Sequence, residues 1–433
     1  MDSTIWILLI SFVILLLINT PIAIAIAIST ILTMLFSMDS ISALTTVAQR
    51  IATGLDSFAL LAIPFFILSG YLMGQGGIAR RLINFAMVLV GRFSGGLAFV
   101  NVIACALFGS ISGSAVAATS AIGGFMIPAM NKEGYDKNFN TAVTVTASTT
   151  GMLIPPSNIL IIYSLASGGV SIAALFMAGY LPGMLVALGL LVMCAYYAKR
   201  NNLPKGLKYS FSEGVHHLVA AIPSLFLIIV VIGGIIGGFF TPTEAGAIAV
   251  LYALLLSVGV YKEISFADLP TILLKSVQTT AIVMLLIGAS AAMSWMLSYE
   301  FIPQQFTQFI LALSENPLII LLLINIMLLV VGTFMDMTPA VLIFTPILMP
   351  VMAEMGVSPV HFGIMMILNL SIGLCTPPVG SVLFVGCSIG KTSIGQVTKP
   401  LLPLYAAMFV CLLLVTFVPQ ISEWLPRLVG LID

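Results

Sequence analysis

Apolar residues in this chain do not alternate with polar ones; they run on. The stretches from Ile5 to Met38, Leu60 to Gly74, Ile172 to Ala198, Leu218 to Phe239, Ala245 to Tyr261, Thr280 to Leu297 and Leu401 to Val418 are apolar almost throughout. A helix needs about 20 residues to cross the hydrocarbon core of a bilayer. Each stretch therefore predicts a spanning or nearly spanning helix. Other apolar segments are interrupted by Pro, Gly and Ser, and the interruptions carry more information than the runs.

The interruptions repeat. Pro128, Gly134, Gly151, Pro155 and Pro156 recur as Pro350, Gly356, Gly373, Pro377 and Pro378, each 222 residues further on, and Thr20-Pro21 recurs as Thr241-Pro242, 221 further on. Five helix-breaking positions in one register predict two repeats, 1–200 and 215–433, joined by a cytoplasmic linker over 201–214. Lys and Arg favour the cytoplasmic side. The segment Phe93–Met130 lies between Arg92 and the pair Lys132 and Lys137, so both its ends read as cytoplasmic. Its mate, Leu318–Met352, lies between Glu315 and Glu354, so both its ends read as external. Lys199, Arg200, Lys205 and Lys208 mark one connector and Lys391 and Lys399 another; the corresponding connectors hold only Arg427 beside Glu423, or no charge at all. The expectation is an all-α polytopic membrane protein whose halves are inverted repeats. Arg80 and Arg81 fit this pattern less well, as a loop or a helix lying along the surface.

Segments whose ends share a side turn back inside the membrane. The first hairpin, about 93–130, has Gly109-Ser110-Ile111-Ser112-Gly113-Ser114 at its middle, and the second, about 318–352, has Gly332 to Pro339. Irregular backbone at membrane depth survives only where protein or a watery cavity satisfies it, so both tips are expected to face inward. Broken helices follow at about 138–167 and 360–389. Proline lacks an N–H and clashes with the carbonyl four residues back. Pro155 and Pro156 should therefore free the carbonyls of Gly151 and Met152, and Pro377 and Pro378 those of Gly373 and Leu374. A hard monovalent cation is one natural partner for such carbonyls; a neighbouring helix or water is the other. Ser157, Asn158 and Thr376 add side-chain oxygens, and glycine at 151 and 373 permits close backbone approach. Inverted repeats with discontinuous helices are the signature of secondary transporters.

Composition narrows the class. Apolar residues make up 60% of the 433 and charged ones 7%, against about 25% charged in soluble domains. Net charge is zero and no basic face exists, which excludes nucleic acid as a partner. Five cysteines lie singly in apolar segments, without metal or redox spacing. Met1 to Ile5 lacks a basic n-region, so the N-terminus is expected to be retained, and outside.

At the residues just described the chain resembles the large membrane (permease) subunit of tripartite ATP-independent periplasmic (TRAP) transporters, essentially end to end. The motifs are the GSISGSAVA tip, the LIPPSN break, the TPTEAGA segment from Thr241 to Ala247, the DMTPA tip and the CTPPVG break. The resemblance implies a sodium-driven elevator of the ion transporter superfamily type, a small membrane subunit as scaffold partner, and a periplasmic binding protein that delivers an organic acid such as a C4-dicarboxylate or sialic acid. No small-subunit segment precedes Ile5, so that subunit is expected as a separate polypeptide. Carried over by motif, sodium would be held by Ser110, Ser112, Gly113, Gly151, Ile154 and Pro155 in one half and by Gly332, Gly373, Thr376 and Val379 in the other. The substrate would lie between, near Ser114, Ser157, Asn158, Asp336 and Thr338.

Rival readings are weaker. Gly386 to Thr392 is a near miss of the phosphate loop, with three residues between its glycines where four are needed. A serine hydrolase needs a base within hydrogen-bond reach, and the histidines are His216, His217 and His361. An enzyme is not expected. A channel favours a continuous polar stripe, whereas polar residues here gather at two breaks. The closer alternative is a stand-alone proton- or sodium-coupled anion carrier. Asp336 reads either as a ligand or proton carrier or as a helix N-cap; Glu244, just after Pro242, reads as a favourable charge at a helix start.

Overall fold

The computed structural model describes residues 3–206, 210–314 and 316–432; Lys208 and Glu315, used above to assign sides, lie outside the described residues. Twenty α-helices account for the described architecture, with no strand among the described residues beyond one isolated bridge, Ser94 to Lys205. Among the described residues, eight helices are long and apolar enough to cross a membrane.

The first half runs α1 (Ser3–Leu17), α2 (Ile22–Ser37), α3 (Ser40–Gly54), α4 (Ala62–Gln75), α5 (Ile78–Val90), α6 (Gly96–Ser112), α7 (Ala115–Lys132), α8 (Lys137–Ser148), α9 (Asn158–Ala166) and α10 (Ile172–Arg200). The second runs α11 (Phe211–Ile236), α12 (Pro242–Leu254), α13 (Leu269–Tyr299), α14 (Ile302–Leu313), α15 (Pro317–Phe334), α16 (Met337–Glu354), α17 (Pro359–Gly373), α18 (Ser381–Gly390), α19 (Ile394–Phe417) and α20 (Gln420–Leu428).

The apolar run from Ile5 to Met38 is two helices, not one. Asn19 takes a left-handed φ of 63° and Pro21 sits just before the first turn of α2, where a missing N–H costs nothing. The matching break before α12 is a capping box: the Thr241 hydroxyl accepts from the Glu244 amide at 3.3 Å, and the Glu244 carboxylate accepts from the Thr241 amide at 2.8 Å. Glu244 is thereby accounted for. The Asp39 side chain caps α3 by accepting from the Ser42 amide at 3.0 Å, which holds its carboxyl below the usual value.

Arg80 and Arg81 lie on α5, and both bind Glu263, at 3.2 and 3.0 Å. Arg81 also stacks 3.5 Å from the centre of the Tyr261 ring. This cluster ties α5 to the segment ahead of α13, which is the reason two arginines interrupt the sidedness pattern.

Packing sorts the helices into two groups, which meet where α4 and α5 pack on α6 and where α13 packs on α16. In one, α2 and α3 lie against α13, α4 lies against α12 and α13, and α11 lies against α5 and α12. In the other, α6, α7, α8, α18 and α19 interlock on one side and α9, α15, α16 and α17 on the other, with α10 against both. The two most enclosed helices are α8 and α17, buried along nearly their whole lengths. Hydroxyls on α8 do not break it, because Thr141, Thr144, Thr146 and Ser148 each donate to a carbonyl three or four residues back. Large apolar side chains such as Leu17, Phe36, Phe239 and Phe266 are exposed instead, each by more than 70%.

Candidate functional site

Two tight reversals join helix pairs at the glycine- and serine-rich segments. Helix α6 ends at Gly113, whose φ of 63° lets the chain reverse within two residues, and the Ser114 hydroxyl opens α7 by accepting from the Ala117 amide at 3.2 Å. The second reversal, between α15 and α16, passes through Met335 and Asp336. Both breaks form as well. Helix α8 tightens at Thr149–Met152, turns through a cis Pro155-Pro156 bond, and resumes as α9 at Asn158. Helix α17 ends at Gly373, turns through a cis Pro377-Pro378 bond, and resumes as α18 at Ser381.

Each tip touches its own break through paired glycines. A Cβ on Gly109 would lie 2.7 Å from the Gly151 Cα, and one on Gly373 would lie 2.6 Å from the Gly332 Cα. No side chain fits at either crossing. Further along, a Cβ on Gly113 would lie 3.0 Å from the Asn158 amide nitrogen, so the first tip rests on the start of α9. At the second tip the Gly380 amide reaches the Thr333 carbonyl at 3.4 Å and the Ser381 hydroxyl donates to Asp336 at 3.3 Å. Gly109 was missing from the sequence-based set although its counterpart Gly332 was in it.

The freed carbonyls are fewer than the proline rule alone predicts. The Met152 carbonyl accepts the Ser157 hydroxyl at 2.7 Å, and the Gly373 carbonyl accepts the Thr376 amide at 2.9 Å. Gly151 and Leu374 remain. The helical register would give Gly151 the Ile154 amide, which is used on Thr150 at 3.3 Å, or that of Pro155, which has none. Leu374 faces Pro377 and Pro378 in the same register. Its carbonyl and that of Thr376 converge at Gly380: a Cβ there would lie 2.9 Å from both oxygens. Glycine at 380 thus avoids a clash that any side chain would make with these two carbonyl oxygens, and oxygens of this kind are the donors a hard cation takes.

The nominated side chains are mostly engaged. Ser110 donates to the Leu107 carbonyl at 2.8 Å, Thr376 to the Ile372 carbonyl at 2.7 Å, and Ser112 lies 3.5 Å from the Ser114 carbonyl. Ile154 packs where a Gly183 Cβ would stand, Val379 is 43% exposed, and Thr338 lies in the first turn of α16. Asp336 occupies the N-cap position of α16 but makes no capping bond of its own side chain to that helix; it is exposed and accepts from Ser381. Asn158 differs: its side-chain carbonyl oxygen is buried with no hydrogen-bond partner. Such an acceptor is costly unless something else binds it.

Sequence reasoning passed over the asparagines that brace these elements. Asn101 on α6 donates to Thr144 on α8 at 2.6 Å, and Asn325 on α15 accepts from Asn369 on α17 at 2.8 Å. The available signal was a lone amide inside an otherwise apolar helix.

The two tip and break pairs are not separate bodies. Helix α9 of the first half packs on α16 of the second, and α18 of the second packs on α7 of the first. Four helices therefore begin at the tips and breaks, α7, α9, α16 and α18, and helix N-termini carry partial positive charge with unpaired amides.

The chain is helical, carries several apolar spans and is broken at two interlocked places. It overlays on the crystal structure of the YdaH transporter of Alcanivorax borkumensis with a TM-score of 0.63 at 14% identity, covering 89% of this chain and 90% of that one. It also overlays on Neisseria gonorrhoeae MtrF, described as one of a class of antimetabolite efflux pumps, with a TM-score of 0.54 at 12% identity, covering 90% and 85%. The chain belongs to the family described as "Tripartite ATP-independent periplasmic transporter, DctM component", matched over residues 9–421, and is a multi-pass protein of the bacterial inner membrane. It is 52% identical to a Salmonella typhimurium protein named only as uncharacterized YgiK, over 96% of each chain. It is 40% identical to the C4-dicarboxylate TRAP transporter large permease protein DctM of Rhodobacter capsulatus, over 96% of this chain and 97% of that one. It is 41% identical to the sialic acid TRAP transporter large permease protein SiaM of Vibrio cholerae, over 88% and 89%.

Proposed function

We propose that this chain is the large subunit of a sodium-coupled importer of an organic acid, working with a small membrane subunit and a periplasmic binding protein that delivers the acid. The observation that carries the coupling is the convergence of the Leu374 and Thr376 carbonyls at Gly380, beside the Gly332–Gly373 crossing. The first half supplies a second set around Gly109, Gly151 and the tip serines. Sodium as a co-transported ion fits these donors because hard cations take oxygen ligands, and the close glycine crossing brings tip and break backbones together at the same place.

The acid fits between the two sets. The α7, α9, α16 and α18 N-termini favour an anion, and the orphan oxygen of Asn158 suits a hydroxyl or amide donor on the substrate. Relatives named for C4-dicarboxylates, sialic acid and 2,3-diketo-L-gulonate all carry organic anions. Driving an anion into a negative interior costs about 2.3 kcal/mol per charge at 100 mV, and two sodium ions per monoanion reverse the sign. In this reading the halves are inverted repeats, and the group containing α6 to α9 and α15 to α18 moves as an elevator against the group containing α2, α3, α4, α12 and α13.

Proteoliposomes holding the chain, its small subunit and binding protein, loaded with imposed sodium or proton gradients at matched potential, test this directly. Labelled sialic acid and succinate should enter only with inward sodium and only with the binding protein. Uptake driven equally by protons, without the binding protein, would make the chain a stand-alone carrier and remove the sodium assignment.

A further inference from the structure

Outside the tips, one cavity combines charge, hydroxyls and an unmet polar group. It measures about 440 Å³ and opens between α3 and the C-terminal half of α13 on one side and α9 and α16 on the other. Helices α3 and α13 pack closely here: Gly54 lies on Ala291, Gly288 lies on Ile51, and Arg50 lies over the Trp295 ring, 5.1 Å from its centre. Arg50 pairs with no carboxylate among the described residues. Ser290, Ser294 and Ser298 follow at four-residue spacing and so share one face of α13 toward the cavity. Ser290 is 3% exposed, and its hydroxyl has no hydrogen-bond partner.

The cavity has a direction. Helix α13 carries Lys275 near its start and is followed by Glu300, so its C-terminal half faces outward by the bias of basic residues. The opposite wall is Leu165 and Ala166 on α9 and Leu342 and Pro346 on α16. Those helices begin at Asn158 and Asp336, about 10 Å away by helical rise. The cavity thus stands outside the tips, at the end of the same two helices.

We propose that it is an outer waiting site for the organic acid, holding a carboxylate between the Arg50 guanidinium and the Ser290 and Ser294 hydroxyls before the acid reaches the tips. A guanidinium matches a carboxylate with two parallel hydrogen bonds, and stacking on Trp295 holds its plane in place. Ser290 gains the partner it lacks. This assignment rests on the import of an organic acid proposed above, and adds the residues that meet it first.

The chain has three tryptophans, Trp6, Trp295 and Trp424, so Trp6→Phe with Trp424→Phe leaves Trp295 as the sole reporter inside the cavity. Purified full chain in phosphatidylcholine nanodiscs is titrated with succinate and sialic acid against chloride at constant ionic strength. A saturable change in Trp295 emission is expected with at least one acid and not with chloride. Arg50→Gln should weaken it at least tenfold, Arg50→Lys less, and Ser290→Ala severalfold, with thermal unfolding checking that each variant is folded. An absent response, an equal response to chloride, or an undiminished one in Arg50→Gln overturns the site. So does loss of the response when phosphatidylglycerol is added, which would make the occupant a lipid headgroup. In proteoliposomes Arg50→Gln should raise the acid concentration for half-maximal uptake with sodium dependence intact. Wild-type import with an unchanged half-saturation in Arg50→Gln overturns the waiting site alone. A Trp295 titration without any sodium-driven import overturns the proposed function and leaves the site standing.

Discussion

At the scale of single residues, the glycines decide what the site can be. Gly373 has backbone atoms of Gly332 where its Cβ would go, at 2.6 Å, and backbone does not yield as the end of a side chain does. Gly124, inside α7, has nothing within 4 Å of that point. Gly373→Ala should therefore lose roughly 1–3 kcal/mol through overpacking and abolish sodium-driven uptake. Gly124→Ala should be neutral or gain about 0.5–1 kcal/mol of helix stability. Thermal unfolding in detergent together with proteoliposome uptake measures both; equal tolerance of the two would remove the close crossing as a requirement. Gly151, Gly332 and Gly373 were legible because they stand beside paired prolines or at a tip. Gly109 also stands at a tip, but its pairing with Gly151 was not legible, since it lies 223 residues from Gly332 and neither of these two tip glycines falls in the 222-residue register. The satisfied carbonyls of Met152 and Gly373 were hidden for another reason. Proline chemistry says which amide is missing, but only the folded turn brings the Ser157 hydroxyl and the Thr376 amide round to replace it.

Helices are held by polar clamps that sequence pattern underrates. Asn325 on α15 takes two bonds from the Asn369 amide on α17, to its backbone carbonyl at 2.9 Å and its side-chain carbonyl at 2.8 Å, and gives one to Thr416 on α19 at 3.1 Å. All three residues are buried. Removing one partner strands the other, at a cost of about 1–3 kcal/mol, whereas replacing both with apolar groups is far less costly. Asn325→Leu and Asn369→Leu should each lower stability by that amount, and the double variant should be less destabilised than their sum. A double-mutant cycle on thermal stability reads the coupling, and simple additivity would sink it. The helical character of the chain was legible from its apolar runs. The division of the first run into α1 and α2 was not, because Asn19-Thr20-Pro21 is a short punctuation inside an otherwise unbroken stretch, and hydropathy averages over it.

Across the whole molecule, composition was enough to place the chain in a membrane, but repeat spacing did not show how the segments before and after the linker meet. The contacts of α9 with α16 and of α18 with α7 join segments far apart in sequence, and nothing in either segment names its partner. Their consequence is that a helix following each break packs against the hairpin of the other half, and in the proposed mechanism the two ion sites would therefore move together. That arrangement is symmetric in the proposed way only if the hairpins enter from opposite faces. Lys132, at the end of α7, and Glu354, at the end of α16, are both exposed and stand at matching ends of the two hairpins. The five native cysteines are free and buried, so they can be replaced to leave a single introduced thiol. Lys132→Cys should then react with a membrane-impermeant maleimide only in inside-out vesicles, and Glu354→Cys only in intact cells. Labelling of both from the same face would mean that the halves are parallel, and a common elevator movement carrying two inverted ion sites would have no structural basis.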